Sequence, residues 1–311
     1  METLIKSLPD LPILFSFFLT IYLAAHFLVF RNWSPKIRPE AASCLISIFH
    51  GTPAVFLATH ALFTDPNRGF SSLNTKTEAS VLDYSISYFL MDLIHYLIFS
   101  PSDILFIGHH LATLFVFVTC RYLVTRGAYA VLMLLILAEV TSACQNAWTL
   151  ANARRIDVEF AAKVYDFLSL PFYAFYSVVR GILGPYFVYQ MGAFFISGVD
   201  GGIIPKWIWV SWLFVVVIAI SVSILWVTNL WVQLYRERNV QNGWAGSRLI
   251  DVGYAHFYMT KLKQVEQLRT VLSAETSMNH RIVQVLCLIA DGIGQMWERL
   301  DRPCRRGSRQ V

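Results

Sequence analysis

The stretch that decides the fold class is residues 11–30, LPILFSFFLTIYLAAHFLVF. It contains no Asp, Glu, Lys or Arg over twenty residues, which is about the length that an α-helix needs to cross the hydrocarbon core of a bilayer. The segment before it carries Lys6 opposed by Asp10. A signal peptide has a shorter apolar region and a positive N-terminus, so this stretch is predicted to be a retained membrane helix.

Six further apolar segments of similar length follow, at residues 41–63, 80–99, 104–124, 127–150, 164–190 and 207–235. The connectors between them hold the prolines, glycines and charged residues that interrupt helices. The chain of 311 residues is 56% hydrophobic and 14% charged, whereas soluble domains carry about 25% charged residues. We therefore predict an all-α polytopic membrane protein with about seven transmembrane helices. Disorder, a collagen, a secreted disulfide scaffold and an ordinary soluble enzyme are excluded.

The chain is predicted to have three regions: an N-terminal transmembrane helix with its connector (1–39), a helical membrane domain (40–240) and a basic tail (241–311), of which the tail is set apart by its charge. From residue 236 onward there are 12 Lys and Arg against 7 Asp and Glu, whereas the preceding part has 13 of each. The distribution of Lys and Arg among the connectors, nine against six, predicts a cytosolic C-terminus. We expect the tail to meet anionic lipid and residues 281–300 to form an amphipathic helix, either in the interface or packed on protein.

Ionisable side chains inside the predicted spans fall on helical faces. Such groups are costly in a bilayer and usually face a bundle interior or a water-filled cavity, so they mark candidate functional sites. In the third span Asp92 and His95 lie one turn apart and can hydrogen-bond; the fourth span begins with His109 and His110. The connector between these spans is short, which makes the two helices antiparallel neighbours. We therefore expect Asp92 and His95 to contact the histidine pair.

The later spans also present polar faces. Arg180 lies deep and needs a carboxylate or carbonyl partner, for which Glu139 has a compatible depth. One polar face can simply join two helices, but five of them favour a central polar cavity. Its predicted cavity-lining or lipid-binding residues are Thr113, Glu139, Ser142, Asn146, Asp166, Tyr173, Arg180 and Asn229.

The remaining histidines and the cysteines are given structural roles. His26, His50 and His60 have no local partner and are interpreted as core or interfacial residues. Five cysteines without a CxxC pair predict neither a disulfide framework nor a zinc site, and no histidine spacing predicts a metal.

Three segments on successive spans carry a family resemblance. They are Asp92-Leu-Ile-His95, His109-His110-Leu-Ala-Thr113 and Glu139-Val-Thr-Ser-Ala-Cys-Gln-Asn146. Together, and in this order, they resemble the TLC family (TRAM–LAG1–CLN8 homology) over roughly residues 40–240. The resemblance implies a helical bundle of six of the seven spans around a lipid-accessible cavity. It also implies an endoplasmic-reticulum or other endomembrane location, and a role in lipid synthesis, sensing or transport.

The enzymatic branch of that family, the ceramide synthases, transfers an acyl group from acyl-CoA to a sphingoid base. His109 and His110 match the adjacent histidines of its catalytic motif. The following helix in that branch carries an H-D-x-x-D element, whereas here residues 135–141 read LILAEVT. The fifth span resembles instead the branch of TLC-domain-containing proteins that are not ceramide synthases.

Three hypotheses follow. The favoured one is a non-enzymatic protein that binds, senses or moves membrane lipid. The alternative is an intramembrane N- or O-acyltransferase with His109 or His110 as base or nucleophile and Asp92 orienting His95 or a reacting histidine; acyl-CoA would be a co-substrate and no separate cofactor is expected. The third is a cargo receptor, which rests on fold analogy alone. The predicted partners are membrane lipid and, as an option, a second copy of the chain; nucleic acid is not among them.

Overall fold

The computed structural model describes residues 10–241. Three of the helices are extended by a wider π-type turn, at Ala25–Val29, Thr119–Val124 and Val179–Leu183. Such turns are rare and occur frequently at functional sites. Residues 10–241 hold nine α-helices: α1 (Asp10–Ala24), α2 (Arg38–Thr64), α3 (Lys76–Phe99), α4 (Ile104–Val118), α5 (Ala128–Glu139), α6 (Ser142–Arg154), α7 (Glu159–Val178), α8 (Gly184–Ile196) and α9 (Lys206–Gln241).

These helices confirm the predicted fold class. Joined through their short turns, they give seven segments long and apolar enough to cross a membrane: Asp10–Val29, Arg38–Thr64, Lys76–Phe99, Ile104–Val124, Ala128–Arg154, Glu159–Ile196 and Lys206–Arg236. The sixth is longer than the predicted 164–190 because α7 and α8 run on through the π-type turn. The predicted basic tail and its amphipathic segment, 281–300, lie outside the described residues.

The described chain separates into two compact units. The smaller contains residues 100–108 together with the described end of α9 from residue 236 onward. In it the α3–α4 connector closes with a hydrogen bond from the Asp103 amide to the Ser100 carbonyl, 2.9 Å. The larger unit contains the remaining described residues, up to Phe99 and from His109 to Tyr235, and it holds the core and the site described below.

The core of the larger unit is built around α2 and α3. Phe18 of α1, Ile46 of α2 and Leu82 of α3 are fully buried, as is Leu132 of α5. Apolar side chains gain little by leaving lipid, so close packing stabilises a membrane bundle, and small residues permit it. Helix α2 supplies such residues at Ala42, Ala54, Ala58 and Ala61, all buried. Helix α1, predicted to belong to a region of its own, is part of this core.

A separate aromatic cluster joins α6, α7 and α9. Trp148 of α6 packs on Phe172 and Tyr173 of α7, and Phe172 in turn contacts Trp226 of α9. The Trp148 indole N–H donates to the Ser169 hydroxyl at 2.9 Å. This satisfies the polar atom that a buried tryptophan carries.

One end of the bundle is closed by the connectors before α3 and before α5. The Asn74 amide donates to the Cys120 carbonyl at 2.9 Å, and its side-chain oxygen accepts from the Ala128 amide at 2.9 Å. Gly127 adopts a φ of +82°, where a Cβ would lie 3.1 Å from the Trp212 ring. Beside these connectors Arg121 makes a bidentate ion pair with Asp83 of α3. The side chains at this end are therefore held in fixed positions.

Candidate functional site

Asp92 of α3 is the residue around which a buried group of polar side chains is arranged. Its carboxylate accepts a hydrogen bond from the Ser43 hydroxyl of α2 at 2.7 Å and a longer one from Tyr88, 3.4 Å. Nε2 of His110 lies 2.9 Å from Oδ2 of Asp92, and the side chains of Asp92 and His110 are each 5% exposed. An ionised carboxylate only accepts, so His110 donates from Nε2. The carboxylate thus fixes the ring's tautomer and orientation.

His95 has a different partner from the one expected. Its Nδ1 lies 2.8 Å from the hydroxyl of Tyr22 on α1, whereas the carboxylate of Asp92 points to α2 and α4. The predicted Asp92–His95 hydrogen bond is therefore not formed among the described residues. Side chains three residues apart lie on the same side of a helix but point in somewhat different directions. Here Asp92 and His95 each have a closer partner on another helix.

The two adjacent histidines differ in access. Their rings are 5.6 Å apart and nearly perpendicular, 88°. His110 is 4% exposed and held by Asp92, whereas the side chain of His109 is exposed. Arg180 of the sixth span lies within electrostatic reach of His109. One histidine of the pair is thus held by a carboxylate, and the other lies at the surface of the helices.

A second polar group lies on α2, α5 and α6. Glu139 Oε2 is 4.0 Å from Nδ1 of the fully buried His50. Asn146 donates from its amide nitrogen to the Ser47 hydroxyl at 2.9 Å and to the Ser142 carbonyl at 2.9 Å. Three of the predicted site residues are therefore brought together against α2: Glu139, Ser142 and Asn146.

Tyr88 connects the two polar groups. Its ring stacks on the His50 imidazole with centroids 4.0 Å apart and 6° between planes. Its hydroxyl donates to the Asp92 carboxylate at 3.4 Å. The Asp92–His110 group and the Glu139–His50 group thus form one continuous set of contacts inside the membrane-spanning part of the chain. We call this set the central polar network.

The fifth span is broken beside this network. Helix α5 ends at Glu139 and α6 begins at Ser142, which leaves carbonyl groups of the last turn without helical partners. The Arg180 guanidinium donates to the Ala138 carbonyl at 2.6 Å. Of the two kinds of partner expected for Arg180, the structure supplies the carbonyl, with Glu139 within electrostatic reach. The π-type turn that contains Arg180 positions it for this contact.

The other predicted site residues lie outside these contacts. Thr113 is half-buried on α4. Tyr173 is 1% exposed inside the separate aromatic cluster, and Asn229 is half-buried on α9. Asp166 is exposed, and at about 1.5 Å per residue it lies about 20 Å along the span from Arg180. Asp166 and Arg180 therefore lie at different depths along the span, and their role in lining a cavity stays a prediction.

The sequence interpretation missed the polar face of α2. Ser43, Ser47 and His50 are spaced four and three residues apart, which is one helical face, and this pattern could have been found. Tyr22 could not have been assigned, because its contact with His95 depends on how α1 packs. Among residues 10–241 no group of three or more metal-ligating side chains is placed together.

Comparison with known proteins places the chain in a family. The sequence pattern of the TLC domain (TRAM, LAG1, CLN8) matches residues 40–232. The chain belongs to the TLC-domain family. It is also 66% identical over 234 residues to the TLC domain-containing protein At5g14285 of Arabidopsis thaliana, which covers 75% of this chain and 92% of that relative. No solved structure matches it at a significant level.

The family match starts at residue 40, after α1. Tyr22 and Phe18 lie before that boundary, yet Tyr22 contacts His95 and the Phe18 ring packs on the His50 ring, with centroids 6.2 Å apart. In this TLC-domain protein, the helix that precedes the conserved domain completes the surroundings of the central polar network.

Gly51 sets the distance between α2 and the helix break. A Cβ at this position would lie 2.5 Å from Glu139 Oε2 and 3.0 Å from the Ser142 Cβ. We expect Gly51→Ala to displace the Glu139 carboxylate and to lower the free energy of unfolding by about 1–3 kcal/mol, the usual cost of overpacking. Thermal unfolding of the purified protein in detergent measures this.

The matched control is Gly181→Ala, because a Cβ there meets nothing within 4 Å. We expect Gly51→Ala combined with Glu139→Ala to unfold at a higher temperature than Gly51→Ala alone, since the oxygen that clashes is gone. Equal unfolding temperatures for the Gly51 and Gly181 variants would show that α2 and the α5–α6 break do not approach as closely as described.

Proposed function

We propose that this TLC-domain protein binds a membrane lipid at the central polar network and acts in the lipid homeostasis of an endomembrane such as the endoplasmic reticulum. The observation that carries the proposal is the continuous set of contacts from Asp92–His110 to Glu139–His50 within helices that cross the membrane. Buried ionisable groups are expensive in a bilayer and are retained mainly where they serve a function.

The chemistry of the network suits a polar lipid head group. It offers acceptors in the Asp92 and Glu139 carboxylates, donors in Arg180 and the serine hydroxyls, and an exposed imidazole in His109. A head group with hydroxyl or amine donors would pair with the carboxylates, while its acyl chain stays in the hydrocarbon region. The same arrangement supports binding, sensing or transfer of lipid between membranes.

The test is lipid mass spectrometry on membranes from cells that lack the protein. Wild type is compared in rescue with His109→Ala/His110→Ala. We expect one lipid class to change on loss of the protein, and the double variant to fail to restore it, because it removes both the open imidazole and the partner of Asp92.

The control variant is His60→Ala, which removes an exposed histidine of α2 outside the network. It should restore the lipid profile fully. Protein amount and unfolding temperature are measured for each variant, so that loss of function is separated from loss of fold. Full rescue by the double variant would contradict a role of the pair in lipid binding.

A second candidate function is acyl transfer from acyl-CoA to a lipid amine or hydroxyl. The observation that favours it is the Asp92–His110 pair, since a carboxylate that is hydrogen-bonded to an imidazole orients the ring for proton transfer. In this step the imidazole of His109 or His110 takes the proton of the amine or hydroxyl, while the nitrogen or oxygen of that group bonds to the acyl carbon. The C–S bond then breaks, and the thiolate of coenzyme A takes up the proton.

An assay of acyl-CoA turnover distinguishes the two candidate functions. Purified protein is supplied with labelled acyl-CoA and a sphingoid base or a lysophospholipid, and product formation is followed by mass spectrometry. Acyl transfer that is lost in His110→Ala supports the enzyme. Copurifying lipid without turnover supports the binding protein.

The location and orientation belong to the same proposal. The charge bias of the connectors supports a cytosolic C-terminus, and the basic tail would then face anionic lipid on that side. A tag at the C-terminus should be accessible to antibody when only the plasma membrane is permeabilised, and it should coincide with endomembrane markers.

A further inference from the structure

The larger unit carries a groove outside the central polar network, on the side of the bundle where α1, α2 and α3 meet. Its volume is about 350 Å³, at the lower end of the range for small-molecule sites. Its apolar wall is formed by Ile13, Leu14, Leu57 and Val81, together with the ring of Tyr84. Ile13 and Leu57 are 66% and 44% exposed. The groove is therefore accessible from outside the bundle.

Apart from Asp83, the polar residues of the groove lie at one end. Asp10 is the first residue of α1, Thr77 the second of α3, and Ser80 lies one turn further. Helices α1 and α3 run in the same direction, so both starts lie at the same face of the membrane. Tyr84 is eight residues into α3, about 12 Å at 1.5 Å per residue. Polar groups at interface depth and an apolar wall at hydrocarbon depth reproduce the layout of a lipid.

The charge of the residues that line the groove is negative. Asp10 and Asp83 are the acidic residues among the nine that line the groove, and none of these nine is basic. Asp83 is already paired with Arg121 and accepts a hydrogen bond from Tyr122 at 2.6 Å. The exposed Asp10 carboxylate is thus the charge that a ligand would meet, and it favours an ammonium group over an anionic one.

The groove is separated from the central polar network by Tyr84. The Tyr84 hydroxyl donates to the Phe49 carbonyl at 2.6 Å, and its ring stacks on His50 with centroids 5.5 Å apart. A ligand in the groove would therefore contact one side of Tyr84 while the network lies on the other. Occupancy of the groove does not depend on the proposed function of the network.

We propose that this groove is a separate binding site for a phospholipid with a primary-amine head group. The ammonium lies at Asp10, the phosphate region meets the Thr77 and Ser80 hydroxyls, and one acyl chain follows the wall from Ile13 to Tyr84. The lipid binds from within the bilayer, because the groove opens on the outer surface of membrane-spanning helices.

Native mass spectrometry of the full-length protein in detergent tests this proposal. The probes are phosphatidylethanolamine and phosphatidylglycerol with identical acyl chains, titrated separately. We expect the wild type to retain one phosphatidylethanolamine in preference to phosphatidylglycerol. Asp10→Asn should weaken that retention by about tenfold, as expected for loss of one charge-assisted hydrogen bond. Glu159→Gln, which changes an exposed carboxylate at the start of α7, should leave it unchanged.

A second pair of variants tests the apolar wall. Leu57→Trp fills the groove, whereas Phe56→Trp changes the preceding residue, which is 71% exposed and does not line it. Only Leu57→Trp should release the bound lipid, and Ile13→Trp serves as a second filling variant. Equal retention by Leu57→Trp and Phe56→Trp, or equal binding of the two lipids with no effect of Asp10→Asn, would overturn the proposal.

The same titration distinguishes this site from the central one. His110→Ala should retain the phosphatidylethanolamine, because Tyr84 stands between the groove and the network. Loss of the lipid in His110→Ala and retention in Leu57→Trp would place the lipid at the network, which contradicts the groove and supports the proposed function.

Discussion

Arg121→Met is expected to lower the free energy of unfolding by about 3–5 kcal/mol, the usual cost of removing one partner of a buried ion pair. The Arg121 guanidinium donates twice to Asp83, with nitrogen–oxygen distances of 2.9–3.1 Å. The Asp83 side chain is 3% exposed and that of Arg121 17%. Methionine keeps most of the length of the side chain, but it leaves a carboxylate inside the bundle without its cation. Thermal unfolding in detergent measures the loss.

Two comparisons make this prediction specific. Arg126→Met removes a nearby arginine that makes one hydrogen bond, to the Ser71 carbonyl at 3.2 Å, and should cost about 1 kcal/mol. Asp83→Asn in the Arg121→Met background removes the stranded charge and still accepts from Tyr122, so it should recover part of the loss. If Arg121→Met unfolds at the same temperature as Arg126→Met, Asp83 is not the buried partner described here.

Asp92→Asn is expected to abolish rescue of the lipid profile while the protein stays folded. Asparagine has nearly the same shape as aspartate, but one of its two terminal atoms is a donor. When that donor faces His110, Nε2 must accept, and the imidazole is held in the other tautomer. The same exchange in a serine-protease triad leaves the geometry intact and removes most of the activity.

Asp92→Ala separates the electrostatic role of Asp92 from its structural one. It leaves the Ser43 hydroxyl and His110 Nε2 without their acceptor, and each buried unsatisfied donor costs about 1–3 kcal/mol. We therefore expect Asp92→Ala to lower the unfolding temperature well below that of Asp92→Asn, measured in the same detergent. A folded Asp92→Asn protein that restores the lipid profile fully would show that Asp92 serves the fold and not the function.

The sequence by itself allowed the fold class and the seven spans to be predicted. Runs of about twenty apolar residues are sufficient for this, because a helix that satisfies its own backbone hydrogen bonds is one of the few structures that can cross lipid. It also allowed most of the polar side chains to be placed on helical faces, since a helical period fixes which residues share a face. The neighbours Asp92 and His110 followed from the short connector between α3 and α4.

Only the tertiary structure decided which polar atoms touch. Asp92 contacts His110, as expected, and also Ser43 of α2, whereas His95 contacts Tyr22 on a helix before the family domain. Arg180 meets the Ala138 carbonyl because the fifth span breaks after Glu139, which no residue pattern in that span announces. A helical period specifies direction within one helix, whereas contacts between helices depend on their rotation and closeness. The closeness of two helices depends on residues such as Gly51, whose lack of a side chain leaves room for Glu139 and Ser142 from a distant part of the chain.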